Sequence, residues 1–477
     1  MMMPALLIFL ASIVATSDAS LLPPAQYFTQ KVDHFDGTNP STWQQQYFVN
    51  DTFFSKDADA PILLCMGGEG PPLDGSSVVA SVHCSVANNM AEELGALMLA
   101  LQHRYYGCQS NMTACPVKTF DSTPAIKNPL VFLSSRQALG DMAAFHSFIV
   151  EKYGLSASNK WVTFGGSYPG MMAAWSRLKF PQLIHASISS SAPVHAKTEM
   201  KEYNDMVAYA YSVELVGGSQ ACADAIAKGH ASILSMFASD AGRSKVASAF
   251  HLDSADWLKD KANQASFAGY GVASFPSQSN DPLCSDPACN IEKICKIMVN
   301  ETYGDEVARL AQLRRVQSGA GLALTSKRAP KMMAAVDESM PDFWGYQTCT
   351  EFGFYQTCDV DSKCPFSRGL VTLNSSVAFC LAEYNLTLAD VAANVKYSDV
   401  YYGGNRPSGS RVFWVNGQID PWGALSVLSP LDGQPTLMVP GASHHAWTHP
   451  FDSRDSKYLT QARDLIFAQV VEWLAEE

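Results

Sequence analysis

Between Trp161 and Leu178 the chain passes from a strand pattern to a helix pattern through six residues suited to a sharp, strained turn. Trp161-Val162-Thr163-Phe164 is a short β-branched and aromatic run, and Met171 to Leu178 has helix-forming composition. Gly165-Gly166-Ser167-Tyr168-Pro169-Gly170 joins them. In a nucleophile elbow a serine sits in such a turn with its hydroxyl above the sheet, and small neighbours are needed because strand and helix backbones nearly touch. Pro169 replaces the last glycine of the usual Gly-x-Ser-x-Gly. Proline fits the first turn of a helix, where its missing N–H has no intrahelical partner. The Tyr168 N–H remains available to an oxyanion hole. A glycine-rich turn without chemistry is the plainer alternative.

The surrounding pattern extends this unit into a sheet. Pro61 to Met66, Ala96 to Leu101 and Ala186 to Ser191 read as strands, and Ser135 to Tyr153 reads as a helix with Leu139, Met142, Ala143, Phe145, His146 and Ile149 near one face. Alternation of strands and helices implies an α/β fold with a parallel sheet covered on both faces. From about His195 to Val395 strand signals fade and helical stretches dominate, together with most of the cysteines. Arg411 to Val415 and Thr436 to Val439 restore the strand pattern, and Leu459 to Leu474 has helical spacing. The expected organisation is a leader over 1–20, a core over 21–194, a mostly helical cap insertion over 195–395, and the rest of the core over 396–477.

An elbow serine needs an acid and a base later in the chain, in the order Ser, Asp, His. Asp420, in Asn416-Gly417-Gln418-Ile419-Asp420-Pro421-Trp422, follows one late strand, and His444 follows the next, 24 residues on. His444 would take the Ser167 proton while Asp420 orients the imidazole. His445 competes for that role; the pair could also be half of a metal site, but no third ligand is spaced to complete it. Gly67-Gly68-Glu69-Gly70, after an earlier strand, lies where a second oxyanion donor belongs, so Gly68 or Glu69 could present a backbone N–H beside that of Tyr168.

Composition narrows the setting. A net charge of -12 argues against a nucleic-acid partner, because phosphate binding needs a Lys/Arg surface. Leu6 to Ala15 is an apolar run too short to span a bilayer and reads as a signal peptide, with a buried first strand as the alternative. No later segment has the length and apolarity of a membrane span, so no membrane partner is expected after its removal. The 12 cysteines are even in number and lack paired zinc-ligand spacing. Sequons stand at Asn50, Asn111, Asn300, Asn374 and Asn385. An oxidising, glycosylating route follows, with disulfides favoured over zinc in the clusters Cys284, Cys289, Cys295 and Cys349, Cys358, Cys364. The pairings are not readable.

At these residues the sequence resembles the serine peptidase family of lysosomal Pro-X carboxypeptidase, dipeptidyl peptidase II and thymus-specific serine protease. The matching blocks are Phe28 to Phe35, Gln46 to Asn50, His103-Arg104-Tyr105-Tyr106-Gly107, Gly165 to Gly170, Tyr346 to Gly353, Asn416 to Trp422 and Ser443-His444. The elbow and the Gln347 to Gly353 stretch are most similar to the thymus-specific branch. The resemblance implies an α/β-hydrolase core with a helical cap, peptide hydrolysis on the carboxyl side of proline, a secreted or lysosomal/vacuolar location, and no cofactor. It assigns the triad roles to Ser167, Asp420 and His444, and makes Trp344, Tyr346 and Trp422 candidates to line a proline pocket. Core packing is the competing role for each aromatic.

Two departures stand out. Gln102 occupies a position where the family usually has Glu, and Gly345 stands where the dipeptidyl branch commonly carries a carboxylate. Glu69 and Glu351 remain as possible anchors for a substrate amine. A homodimer is compatible with the sequence. A lipase or esterase on the same fold, or a binding protein that has lost catalysis, are the alternative functions.

Overall fold

The computed structural model describes residues 22–120, 128–319 and 340–476, so the expected leader lies outside the described residues. Five strands of the eight-stranded sheet are buried at every position: β3 (Ile62–Met66), β4 (Leu97–Leu101), β5 (Trp161–Gly166), β6 (Ala186–Ser190) and β9 (Val412–Gly417). Continuous burial is what a parallel sheet covered on both faces requires. The remaining strands of the sheet are β1 (Gln26–Lys31), β2 (Thr42–Asn50) and β10 (Thr436–Val439). The order is β1-β2-β4-β3-β5-β6-β9-β10, with β2 antiparallel to both β1 and β4 and all other pairs parallel. With the serine turn at the end of the central β5, this is the α/β-hydrolase fold.

Period-two alternation divides the core. Ile62, Leu64, Leu97, Leu99 and Leu101 face one side, where α2 (Ser135–Tyr153) and α3 (Tyr168–Lys179) cover them. Leu63, Cys65, Met98, Ala100, Val162 and Phe164 face the other, against α1 (Ser85–Glu93) and α13 (Lys457–Ala475). Each fully buried Leu or Ile contributes on the order of 1.5–3 kcal/mol, so the two layers dominate the energetics of the sheet. Helix α2 has the predicted limits. The Ser134 hydroxyl accepts from the Gln137 N–H at its start, and Gly154 ends it at φ 64°.

Strands β1 and β2 carry no clear pattern in the sequence. Their buried positions include Gln30 and Gln45, polar residues that satisfy one another: Gln30 Nε2 donates to Gln45 Oε1 at 3.0 Å, and Gln45 Nε2 to the Gln102 carbonyl at 2.8 Å. Arg104 fastens this arm to α2. Its guanidinium, wholly buried, makes a fork with Asp141 at 2.7 and 2.6 Å and donates to the Val32 and Phe132 carbonyls at 2.9 Å each.

Between β6 and β9 the chain leaves the sheet. It forms α4 (Lys201–Ala210), α5 (Gln220–Met236), α6 (Asp240–Ala249), α7 (Lys261–Ala268), α8 (Ile291–Met298), α9 (Glu306–Ser318), α10 (Phe343–Gln347), α11 (Leu373–Tyr384) and α12 (Leu388–Tyr402). A short parallel pair, β7 (Lys197–Glu199) and β8 (Gly353–Tyr355), also lies here, too brief for a sequence pattern to show. Tyr203, Val207 and Ile226 from these helices belong to the same apolar cluster as Ile62 and Leu64 in the sheet, and Trp175 of α3 stacks on Tyr402 at 3.6 Å.

All 12 cysteines pair. Cys222–Cys295 joins α5 to α8, Cys349–Cys380 joins the turn after α10 to α11, and Cys65–Cys84 joins β3 to the start of α1. Cys108–Cys115, Cys284–Cys289 and Cys358–Cys364 close short loops. Among the described residues no helix is long and apolar enough to cross a membrane.

Candidate active site

Ser167 leaves β5 at φ 66° and ψ -132°, a conformation costly for a residue with a side chain, and forms the N-cap of α3. The glycines around it are compelled by contact. A Cβ on Gly165 would lie 2.2 Å from the Pro169 carbonyl oxygen, and one on Gly170 2.8 Å from the Ser190 carbonyl oxygen. We expect Gly165→Ala to destabilise the protein by about 3 kcal/mol, since only backbone could move aside. Gly70→Ala, whose Cβ meets nothing within 4 Å, should stay within about 0.5 kcal/mol. Urea unfolding of the two variants checks both.

Pro169 has a second use. Gly68 packs against its ring so closely that a Cβ would lie 2.4 Å from Pro169 Cγ, and a Cβ on Gly67 would lie 2.5 Å from the Leu101 carbonyl oxygen. The loop leaving β3 is therefore clamped on the first turn of α3, next to Ser167. Glu69 projects from this clamp. Burial pushes its carboxyl up to about 7, against the opposing pull of its own N–H, the His444 charge and the Ser167 hydroxyl. Glu69 as a residue is half-exposed, yet its Oε2 is sealed and has no hydrogen-bond partner among the described residues.

Asp420 and His444 come from the loops after β9 and β10, at the carboxyl ends of the parallel strands, where this class of sheet places its chemistry. His444 Nδ1 lies 2.9 Å from both Asp420 oxygens. A carboxylate only accepts, so Nδ1 carries the proton and Nε2 presents a lone pair. That Nε2 is buried and without a partner among the described residues. Asp420 also accepts from the Trp422 N–H at 3.0 Å, which fixes its rotamer.

His445 faces away from Asp420. Its Nδ1 pairs with Thr448 Oγ1 at 3.1 Å, its N–H donates to Ser191 Oγ at 2.8 Å, and its ring covers Gly166. Burial, then the neighbouring histidines His444, His83 and His449, hold it well below the usual imidazole range.

Two of the three aromatics singled out from the sequence come to this place. Trp344 packs beside Tyr168 at 5.5 Å between ring centres, and Trp422 lies 6.3 Å from the His444 ring. Phe352 and Phe354 fill the space between them, with Phe354 5.8 Å from Phe352, 6.5 Å from Trp344 and 5.5 Å from Trp422. Tyr346 is not brought to this group. Two residues from Trp344 on a helix, it points to the opposite side, against Tyr384 at 5.2 Å, and its hydroxyl meets Asn128.

Glu351 is not a free anchor either. It accepts from the Ser135 N–H at 3.0 and 3.1 Å, the Ser135 hydroxyl at 2.6 Å and Gln347 Nε2 at 2.8 Å. It ties the cap to the N-terminus of α2, a favourable place for a carboxyl. A Cβ on Gly345 would lie 2.4 Å from Asp342 Oδ2, so a side chain there would displace the carboxylate whose other oxygen accepts the Gly345 N–H at 2.8 Å.

Several supporting residues have roles that the sequence does not disclose, although His103 and Gln347 stand in matched blocks. His103 accepts or donates at 2.9 Å with the Tyr168 hydroxyl, and Gln347 donates to the same hydroxyl at 3.1 Å, so the elbow is braced from below. Burial holds the His103 imidazole down at about 4, so it stays neutral there. From the cap, the Gln278 carbonyl accepts the His444 N–H at 3.1 Å, and Gln278 Oε1 accepts from Trp422 Nε1 at 3.0 Å and the Tyr203 hydroxyl at 2.7 Å. No motif signals a role of this kind.

A family model described as serine carboxypeptidase S28 matches residues 30–466. The human thymus-specific serine protease is 33% identical over 96% of this chain and 88% of its own length, and the mouse protein 31% over 95% and 88%. The human lysosomal Pro-X carboxypeptidase is 24% identical, with 94% of this chain and 88% of its own length aligned.

Proposed function

Because the chain belongs to the serine carboxypeptidase S28 family and is a serine-type peptidase, we propose that it cleaves peptides on the carboxyl side of proline through a Ser167–His444–Asp420 triad. The observation that supports this reading is the His444–Asp420 pair: Nδ1 is held by the carboxylate, and Nε2 is buried with no partner among the described residues.

Nε2 takes the Ser167 proton as the hydroxyl attacks the scissile carbonyl, and Asp420 stabilises the imidazolium that forms. The oxyanion meets the Tyr168 N–H at the positive end of α3, with the Gly68 and Glu69 N–H groups on the clamped loop opposite. The imidazolium then protonates the leaving amine, and water resolves the acyl-enzyme through the same base.

A proline ring would be received by Trp344 and Trp422, the partly exposed members of the packed group that they form with Phe352 and Phe354. That flat apolar ring can lie against these faces, and an internal proline has no N–H to leave unpaired in such surroundings. Six disulfides, together with the expected leader and sequons, support an oxidising destination, secreted or lysosomal. Of the sequon asparagines, Asn374 and Asn385 are exposed.

The test is digestion of a proline-containing peptide library at acidic and neutral pH, with products read by mass. New carboxyl termini should fall on proline. Cleavage indifferent to proline, or turnover of esters without peptides, would overturn the assignment.

A further inference from the structure

The positive φ of Ser167 is strain, and strain of this kind relaxes along a definite path. The peptide that would turn is the one joining Ser167 to Tyr168, whose free torsions are ψ of Ser167 and φ of Tyr168. That peptide carries the N–H offered to the oxyanion. The turn is opposed by what anchors Tyr168, whose side chain is buried. Trp344 and Phe352 pack on its ring, each at 5.5 Å between centres, and Gln347 Nε2 donates to its hydroxyl at 3.1 Å. All three belong to one segment of the cap, α10 and the turn after it, which Cys349–Cys380 fastens to α11. We propose that Gln347 is a positioning residue: by holding the Tyr168 hydroxyl it fixes the Ser167–Tyr168 peptide in the orientation the oxyanion needs, so that the cap completes the oxyanion hole.

The donors and acceptors around Gln347 admit one arrangement. Its Nε2 has two protons and two acceptors, the Tyr168 hydroxyl and Glu351 Oε2 at 2.8 Å, while its Oε1 accepts from the Tyr106 hydroxyl at 2.6 Å. The reverse orientation of the amide would set an oxygen against the Glu351 carboxylate. Having accepted from Gln347, the Tyr168 hydroxyl still has its own proton to give, and His103 Nε2 takes it at 2.9 Å. His103 is prepared for this because its Nδ1 faces the Arg104 carbonyl at 2.8 Å. A carbonyl only accepts, so in the neutral ring the proton sits on Nδ1 and Nε2 is bare. At the other end Glu351 is held by the N–H and hydroxyl of Ser135 on α2. Hydrogen bonds thus run unbroken from the loop after β4, through the elbow, to the cap and back to the core. A buried network in which every member is satisfied specifies a single geometry. Methionine at position 347 would fill a similar length of space and offer the Tyr168 hydroxyl no donor.

This inference rests on the reading above, with Ser167 as nucleophile and the Tyr168 N–H as oxyanion donor. The experiment is steady-state kinetics on one proline-containing peptide, with folding followed by near-UV circular dichroism. It compares the full chain as wild type, Tyr168→Phe, Gln347→Met and the double variant. In either single variant kcat per folded molecule should fall about 10- to 100-fold with KM within about threefold, because alignment in the transition state is lost and substrate binding is not. The double variant should be no slower than the slower single, since both changes break the same link. Tyr168→Phe removes one oxygen atom and decides the matter if Gln347→Met does not fold. A purely structural role would lower the folded fraction and leave kcat per folded molecule at the wild-type value, and that result overturns the proposal. A loss confined to KM, or losses that multiply in the double variant, overturn it too. Fluorophosphonate labelling of Ser167→Ala separates the two levels: labelling that persists there removes the nucleophile assignment, and the proposal falls with it.

Discussion

Ser167→Ala should lower kcat by roughly 10⁴- to 10⁶-fold on any peptide the wild type cleaves, and Asp420→Asn by about 10⁴-fold. The two losses have different origins. Without the Ser167 hydroxyl no acyl-enzyme can form, and what remains is the modest effect of binding and oxyanion donors. In Asp420→Asn the new side-chain amide keeps an oxygen for the Trp422 N–H, so the loop should stand. Its NH₂ group, however, can donate to His444 Nδ1 and stabilise the tautomer with its proton on Nε2. A base with its proton on the wrong nitrogen cannot accept another. Steady-state kinetics on one proline-containing peptide, with folding followed by near-UV circular dichroism, separates loss of chemistry from loss of structure. The double variant should be little worse than Ser167→Ala alone, because the residues act as a unit.

Asp141→Ala is the second large effect, and it falls on stability. Arg104 and Asp141 have side-chain exposures of 0% and 1%, so the alanine variant leaves a guanidinium charge buried without its counter-ion. Removing one partner of such a pair costs about 3–5 kcal/mol. His34 loses its 2.8 Å contact to the same carboxylate. Urea unfolding measures the shift; a change below about 1 kcal/mol would mean that water reaches Arg104 in solution. The Arg104 carbonyl partners, Val32 and Phe132, lie on either side of the β1–β2 arm and α2, so proteolytic opening of that arm should accompany the loss.

The contrast between β3 and β2 shows what the chain reveals before it is folded. Strands β3, β4 and β5 are buried on both faces; β3 and β4 write themselves as unbroken apolar runs, and β5 is a β-branched and aromatic run that includes Thr163. Strand β2 is just as necessary, but Gln44-Gln45-Gln46 hides it, because the buried Gln45 amide is satisfied only by partners 15 and 57 residues away. The order Ser, Asp, His is legible because each residue follows its own strand. Tyr346 departs from its expected place for a rotational reason, since sequence proximity to Trp344 says nothing about which side of a helix a ring occupies. Gln278 and Tyr203 are invisible altogether. Their importance lies in a hydrogen-bond geometry that joins segments 75 and 144 residues apart, and no local pattern encodes it.

That geometry bears on how such enzymes could be recombined. Gln278 takes hold of the histidine backbone and the Trp422 indole at once, and Ser443 Oγ donates to the Asn280 carbonyl at 2.9 Å. The helical insertion is thus mortised into the two loops that carry acid and base. A chimera that grafts another relative's insertion onto this sheet, in order to borrow its substrate preference, would inherit the donor's alignment of the base as well. Selectivity and turnover should therefore move together in such hybrids unless the residues at 278 and 280 travel with the loops they support.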